Sequence, residues 1–93
     1  MTTKREIVKT VAELSALTQA QTHEVVQLAL DVIADTLVAE GRLELRRFGV
    51  FEVKQRKARK ARDPRDGSVL HLPPRKALTF RPCKELERRI ADS

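Results

Sequence analysis

Tryptophan and tyrosine are absent from this 93-residue chain, cysteine and methionine occur once each, and glycine occurs three times. Each shortage excludes something. The lone Cys83 forms no intramolecular disulfide, and with two scattered histidines it builds no metal site. No metal or cofactor is expected, and a single free thiol suits a reducing compartment. No apolar run approaches the roughly 18 residues of a membrane span, and the opening "MTTKREIVKT" is too polar for a signal peptide. The expected location is cytoplasmic. Cys83 with His23 or His71 lacks a third group to orient a nucleophile and base, and there is no glycine-rich loop, so no enzyme is expected. The three aromatics, Phe48, Phe51 and Phe80, suit a small core better than a set of base-stacking platforms.

Positive charge is what the chain has in quantity: 19 Lys and Arg against 13 Asp and Glu, a net charge of +6. Only three of those cations (Lys4, Arg5 and Lys9) lie in residues 1–41, beside six acids; the other 16 follow with only seven acids. A mildly acidic half joined to a strongly basic one is the pattern of a scaffold carrying a surface for a polyanion. Nucleic acid is the first candidate. An anionic membrane is the second, but the basic segment has no apolar helical face with which to enter one.

A single domain is expected over residues 1–93, with 1–41 helical, 42–81 a sheet carrying a β-arm at about 54–76, and 82–93 a C-terminal helix. Thr3-Lys4-Arg5-Glu6 and Thr18-Gln19-Ala20-Gln21 have capping-box spacing. They open two helices joined by a short link at 15–17. In the second helix, Val26, Ala29, Ile33 and Leu37 form one stripe and Val25, Leu28, Val32 and Thr36 a second, with Leu30 and Val38 widening the arc. That arc exceeds the roughly 100° a surface helix needs. A monomer of this size buries only about 60 to 65% of its unfolded surface, so a partner subunit is expected to cover the excess, identical or paralogous.

After Gly41 the period changes to two. Leu43 and Leu45 alternate with polar residues, "RRFG" makes a tight connection, and Phe51 and Val53 resume the alternation. A third strand is expected around 76–81. Pro82 then reads as the first position of a short helix, with Glu85 and Glu87 at its positive end and Leu86 and Ile90 as its buried stripe.

Between the second and third strands runs "KQRKARKARDPRDGSVLHLPPRK". Arg56, Ala58, Lys60 and Arg62 share one face of an extended leg; Gln55, Lys57, Arg59 and Ala61 share the other. Asp63-Pro64-Arg65-Asp66-Gly67 is dense in turn formers. The reading is a long cationic hairpin whose legs of about nine residues reach roughly 30 Å. Such a ribbon can meet phosphates on both rims of a minor groove, with Pro64 as a rigid apolar wedge at its tip.

These residues resemble a known family. "RRFGVFEVKQRKARKARDPRDG" is similar to the F-G-x-F-x-V-x-x-R-x-A-R-x-x-R-N-P-x-T-G signature of the bacterial histone-like HU/IHF proteins, and "LPPRK…FRPCKEL" is similar to their I-P-x-x-K…F-K-P-G-K-x-L pattern. The resemblance covers nearly the whole chain. It implies an α+β intertwined dimer with a helical base and two β-arms that embrace and bend double-stranded DNA largely without sequence preference. It places DNA contact on Lys54, Arg56, Arg59, Arg62, Arg81 and Lys84, intercalation on Pro64, and a framework role on Phe48, Gly49 and Phe51. Charge and placement add Lys4, Arg47, Lys57, Lys60, Arg65, Arg75 and Lys76 to the DNA-binding set. The candidate dimer interface comprises Val25, Ala29, Val32, Ile33 and Leu37 with Phe48, Phe51 and Phe80. Departures from the pattern are Asp63 for asparagine, Asp66 for threonine, Arg47 and Ala61 for glycine, and Cys83 for the glycine after Pro82. The alternative function is an RNA-binding or ribosome-associated basic module, which would prefer A-form or single-stranded targets.

Overall fold

Helix capping organises the first third of the chain. In the computed structural model, which describes residues 1–93, α1 spans Lys4–Ser15 and α2 spans Gln19–Glu40. The Thr18 hydroxyl accepts from the Gln21 amide at 3.1 Å and the Gln21 side chain accepts from the Thr18 amide at 3.1 Å, a complete reciprocal box. The first box is not realised. Thr3 is the N-cap of α1, but its side chain makes no capping bond, and Thr3 contributes only the carbonyl that accepts from the Ile7 amide at 3.1 Å. Ala16, at φ 64°, turns the chain from one helix into the next.

The chain forms two compact units, Met1–Thr36 and Leu37–Ser93. In the first, Val8, Ala12 and Thr22 are buried. Thr22 is the most enclosed side chain of all, and its hydroxyl is satisfied by the Thr18 carbonyl at 2.8 Å. The apolar arc of α2 is open in the single chain: Val25, Leu28 and Val32 are more than half exposed, whereas Ile33 and Leu37 are half-buried.

In the second unit α2 ends at Gly41, whose φ of 73° suits glycine and whose amide donates to the Leu37 carbonyl at 2.9 Å. Five strands follow: β1 Arg42–Leu45, β2 Gly49–Arg56, β3 Arg59–Arg62, β4 Val69–Leu72 and β5 Arg75–Pro82, then α3 Lys84–Ala91. β1, β2 and β5 form an antiparallel sheet in the order β1-β2-β5, and β3 pairs with β4 in a separate two-stranded ribbon. The architecture is α+β as expected, with two differences at the C-terminus. Pro82 is the last residue of β5 and Cys83, not Pro82, caps α3, its sulfur accepting from the Leu86 amide at 3.4 Å. Proline suited the end of an edge strand because it has no amide hydrogen to waste there. Ile90, expected to be buried with Leu86, is 63% exposed, since nothing in the single chain packs on that side of so short a helix.

Three phenylalanines hold the base of the sheet. Phe51 and Phe80 are direct partners across β2 and β5, their ring centroids 4.6 Å apart, and Phe48 lies 5.4 Å from Phe80 and 6.3 Å from Phe51. Gly49 is buried beneath them. A Cβ there would stand 2.5 Å from the Arg81 carbonyl oxygen and 2.6 Å from the Phe80 ring, closer than any side chain can approach. Gly49→Ala is therefore expected to destabilise the protein by roughly 1–3 kcal/mol through overpacking. Chemical denaturation followed by circular dichroism measures this, and a change below about 0.5 kcal/mol, the range of an ordinary surface substitution, would contradict the close approach.

Candidate nucleic-acid interface

The arm is one hairpin. Gly49 faces Pro82 at the base of the β2–β5 ladder and Arg56 faces Arg75 at its end; beyond a two-residue gap on each leg, Arg59 faces Leu72 and Arg62 faces Val69. The gap is filled by Lys57-Ala58 on one side and Pro73-Pro74 on the other. Two prolines supply no amide donors, so the ladder lapses there. Because each leg contributes two residues, a full pleat period, the register does not slip and each face continues from sheet to ribbon.

That continuity sorts the charges. Lys54, Arg56, Lys60 and Arg62 on the outgoing leg share a face with Arg75 and Arg81 on the return, and with Glu52 and Thr79 in the sheet. Arg42 stands opposite Glu52 on this face and pairs with it at 3.5 Å, which neutralises the carboxylate locally. The opposite face carries Phe51, Phe80, Val53 and Leu78 in the sheet. It then passes through Lys57, Arg59 and Lys76 to Ala61, Leu70 and Leu72. Neither leg has an acidic residue between Val53 and Arg62 or between Val69 and Leu78. The cations predicted from sequence thus fall into a six-membered set on one face and a smaller set of three on the other.

Four hydrogen bonds close the tip. The Asp63 amide donates to the Ser68 carbonyl at 2.8 Å and the Gly67 amide to the Asp63 carbonyl at 2.9 Å, with Gly67 at φ 75°. The Asp63 carboxylate accepts from the Arg65 amide and the Asp66 carboxylate from the Ser68 amide, each at 2.8 Å. Asp63 thus provides the acceptor that an asparagine would provide, and it springs from the face opposite the six-cation set. Pro64 sits exposed within the first of these turns, between Asp63 and Arg65. The hydrogen bonds to Ser68 hold the Asp66 carboxyl below its ordinary range, so it remains charged at neutral pH.

At the base, Arg46, Arg47, Arg81 and Lys84 surround a shallow depression between the β1–β2 turn and the start of α3. The Cys83 amide donates to the Phe48 carbonyl at 2.9 Å and so ties the two together. Cys83 spends its sulfur on the helix cap. Arg47 occupies the left-handed region at φ 68°, which explains why glycine belongs there and means that the arginine carries strain of about 1 kcal/mol. Lys4 lies in the other unit, where its ammonium donates to the Gln27 side chain and Gln27 in turn donates to Asp31 at 2.8 Å. Sequence reasoning overlooked two basic residues. Arg46 was passed over as part of a turn, and His71 stands directly opposite Lys60 in the ribbon, a placement that only the register reveals.

A family profile described as Bacterial DNA-binding protein matches residues 2–91. The chain is 36% identical over 88 residues to DNA-binding protein HU 1 of Bacillus subtilis, covering 95% of this chain and 96% of that one. It is 34% identical over 85 residues to the integration host factor subunit alpha of Myxococcus xanthus, covering 91% of this chain and 66% of that protein. Among solved structures, HU of Anabaena in a cocrystal with DNA superposes with a TM-score of 0.88 at 29% identity, over 99% of this chain and all of that one.

The tip bonds have a pH signature. A carboxyl depressed on folding adds stability that is present above its ordinary value of 3.8 and is lost as pH falls through the lowered one. The Ser68 amide is expected to stay protected at neutral pH and to lose protection with a midpoint below 3.8. Asp66→Ala should abolish that protection at every pH. Amide exchange by NMR measures both, and a Ser68 amide indifferent to Asp66 would show that the turn is held by its backbone alone.

Proposed function

Because this chain belongs to the bacterial DNA-binding protein family, with HU and integration host factor as relatives, we propose that it is a histone-like architectural protein that binds and bends duplex DNA. The observation that carries the reading is the unbroken register between Gly49–Pro82 and Arg62–Val69, which gathers Lys54, Arg56, Lys60, Arg62, Arg75 and Arg81 on one face of a ribbon ending at Pro64. Lys57, Arg59, Lys76 and Arg65 reach phosphates from the other face and the tip, while Arg47, Lys84 and Lys4 contact the flanking backbone. The 93 residues act as one DNA-binding module. The proposed setting is the cytoplasmic nucleoid, and no helix is long and apolar enough to cross a membrane.

The arm supplies the mechanism. Extended cationic legs bind phosphates on both rims of a minor groove, and contacts of this type carry no base information, so sequence preference is slight. Pro64 enters between base pairs as an apolar wedge without an amide hydrogen to desolvate. Unstacking costs a few kcal/mol, the usual figure for this very family of wedge-bearing proteins. The bent DNA then meets more of the cationic body, which offsets that cost. Asp63 and Asp66 keep their charge, and the tip amides fix where those charges stand.

A second copy completes the fold. Val8 and Ala12 are the only apolar side chains buried in the single chain, too few for 93 residues to fold alone. The face of α2 that carries Val25, Ala29, Val32, Ile33 and Leu37, with the half-open cluster of Phe48, Phe51 and Phe80, is the proposed dimer interface. On a true monomer surface, Val32→Asp would change stability by less than about 0.5 kcal/mol. Buried in a dimer it leaves two unpaired charges and should abolish the cooperative thermal transition. Sedimentation equilibrium that finds a folded monomer at micromolar concentration would refute the dimer.

Two measurements test the DNA reading. If a dimer neutralises about six to ten phosphates, log K against log salt should have a slope of roughly −5 to −9. Pro64→Ala should keep affinity for linear duplex within about tenfold, because the phosphate contacts remain. It should, however, reduce ring closure of short duplexes and erase the preference for nicked DNA, where unstacking is already accomplished. Undiminished bending by Pro64→Ala would leave the proline a turn former only. Stronger competition by structured RNA than by nicked duplex would favour an RNA target.

A further inference from the structure

The ribbon contains one side chain that neither its charge at neutral pH nor its position in the sequence marks as functional. His71 lies in the middle of β4, exposed, and its partner across the ladder is Lys60. By the register it shares the face of Arg62, Lys60, Arg56 and Arg75, in the middle of the largest group of cations in the molecule. On the two legs nothing faces it but cations and apolar groups: Lys60 opposite, Arg62 and Ala58 on either side of Lys60, and Val69 and Pro73 along its own leg. The acidic residues of the hairpin, Asp63 and Asp66, lie in the tip loop beyond the Arg62–Val69 pair, where their carboxylates accept backbone amides, and neither forms an ion pair with His71. The free protein therefore offers this imidazole no anionic partner. A polyanion laid along the ribbon would.

From this placement we infer that His71 is a proton-linked DNA contact. Approach of a phosphate favours the protonated ring, so binding takes up a proton at His71 of each arm, and the arm gains one more cation on its groove-facing surface. An imidazole is the one side chain whose ordinary charge change falls between pH 5 and 8. Affinity for DNA thus rises as pH falls through that range, and the number of phosphates neutralised rises with it. The lysines and arginines of the arm cannot produce this response, because their charge is constant there. The other histidine, His23, lies beside Lys4 and Arg5 in the first unit and serves as the internal control.

The inference rests on the DNA-binding reading, and the experiment separates the two. Binding of a linear duplex is measured across a salt series at pH 6 and at pH 8, with the wild type and with His71→Gln, His71→Lys and His23→Gln. Each phosphate neutralised adds about −0.9 to the slope of log K against log salt. The wild-type slope should therefore be steeper at pH 6 by up to about 0.9 for each arm, with affinity at a fixed salt concentration several-fold tighter. His71→Gln should show the shallow slope at both pH values, His71→Lys the steep slope at both, and His23→Gln the wild-type difference. Because His71 is exposed, these variants should melt as the parent does, which excludes unfolding as the cause. A wild-type slope indifferent to pH, or a pH difference that survives in His71→Gln, overturns the inference while leaving DNA binding intact. Absence of duplex binding at either pH would overturn the DNA reading itself.

Discussion

One backbone constraint underlies everything the arm does: the pairing of β2 with β5 never slips between the base of the sheet and the tip. A shift of one residue anywhere along this hairpin would exchange its faces, sending Lys60 and Arg62 to the side of Phe51 and Phe80. The constraint is set at both ends. At the base, Gly49 pairs with Pro82 and Phe51 with Phe80, and the space beside Gly49 at the Arg81 carbonyl and the Phe80 ring has no room for a side chain. At the tip, the Asp63–Ser68 backbone bond and the two carboxylate-held turns close the loop over four residues. Between them Pro73-Pro74 interrupts the hydrogen bonds without altering the count. The lapse leaves a place where the ribbon can flex relative to the sheet and keeps its cations on the same side.

The distribution of charge follows from that geometry. Carboxylates are absent from both legs, and the two in the hairpin are confined to its tip, where backbone amides fix them. On the sheet, Glu52 is paired with Arg42. What remains along the ribbon is a field of one sign on a thin, solvated support, which attracts a polyanion from a distance and holds it without reading its sequence. Apolar surface follows the opposite logic. The α2 face, the half-open phenylalanine cluster and Ile90 are left uncovered by the single chain, and a second copy is the proposed cover. Polar and apolar demands are thus met by different faces of the same elements.

Much of this could be read from the residues alone. The helix pair, the change of period after Gly41 and the cationic hairpin with its proline tip are local features, and periodicity and turn chemistry report local features well. Errors arose where two equally plausible local rules competed. Thr3-Lys4-Arg5-Glu6 has the spacing of a capping box but makes no side-chain bond, whereas Thr18-Gln19-Ala20-Gln21 makes both. Pro82 was as suitable for a helix start as for a strand end, and pairing with Gly49 decided for the strand. Asp63 departs from the asparagine of the family pattern, and its side chain accepts the Arg65 amide as an asparagine would.

The sequence by itself determined the inventory: which segments are helix or strand, how many cations the arm carries, and that proline stands at its end. Composition and spacing act within a few residues, and those properties depend on nothing further away. Only the tertiary structure decided which cations of the return leg share a face with those of the outgoing leg, because that depends on how the two legs are aligned from Gly49–Pro82 to Arg62–Val69. It also revealed why residue 47 prefers glycine, since a positive φ is a property of the turn and not of the amino acid found there. His71 belongs to the same class. Nothing beside it in the chain is charged, and its place among the cations comes entirely from Lys60 across the ladder.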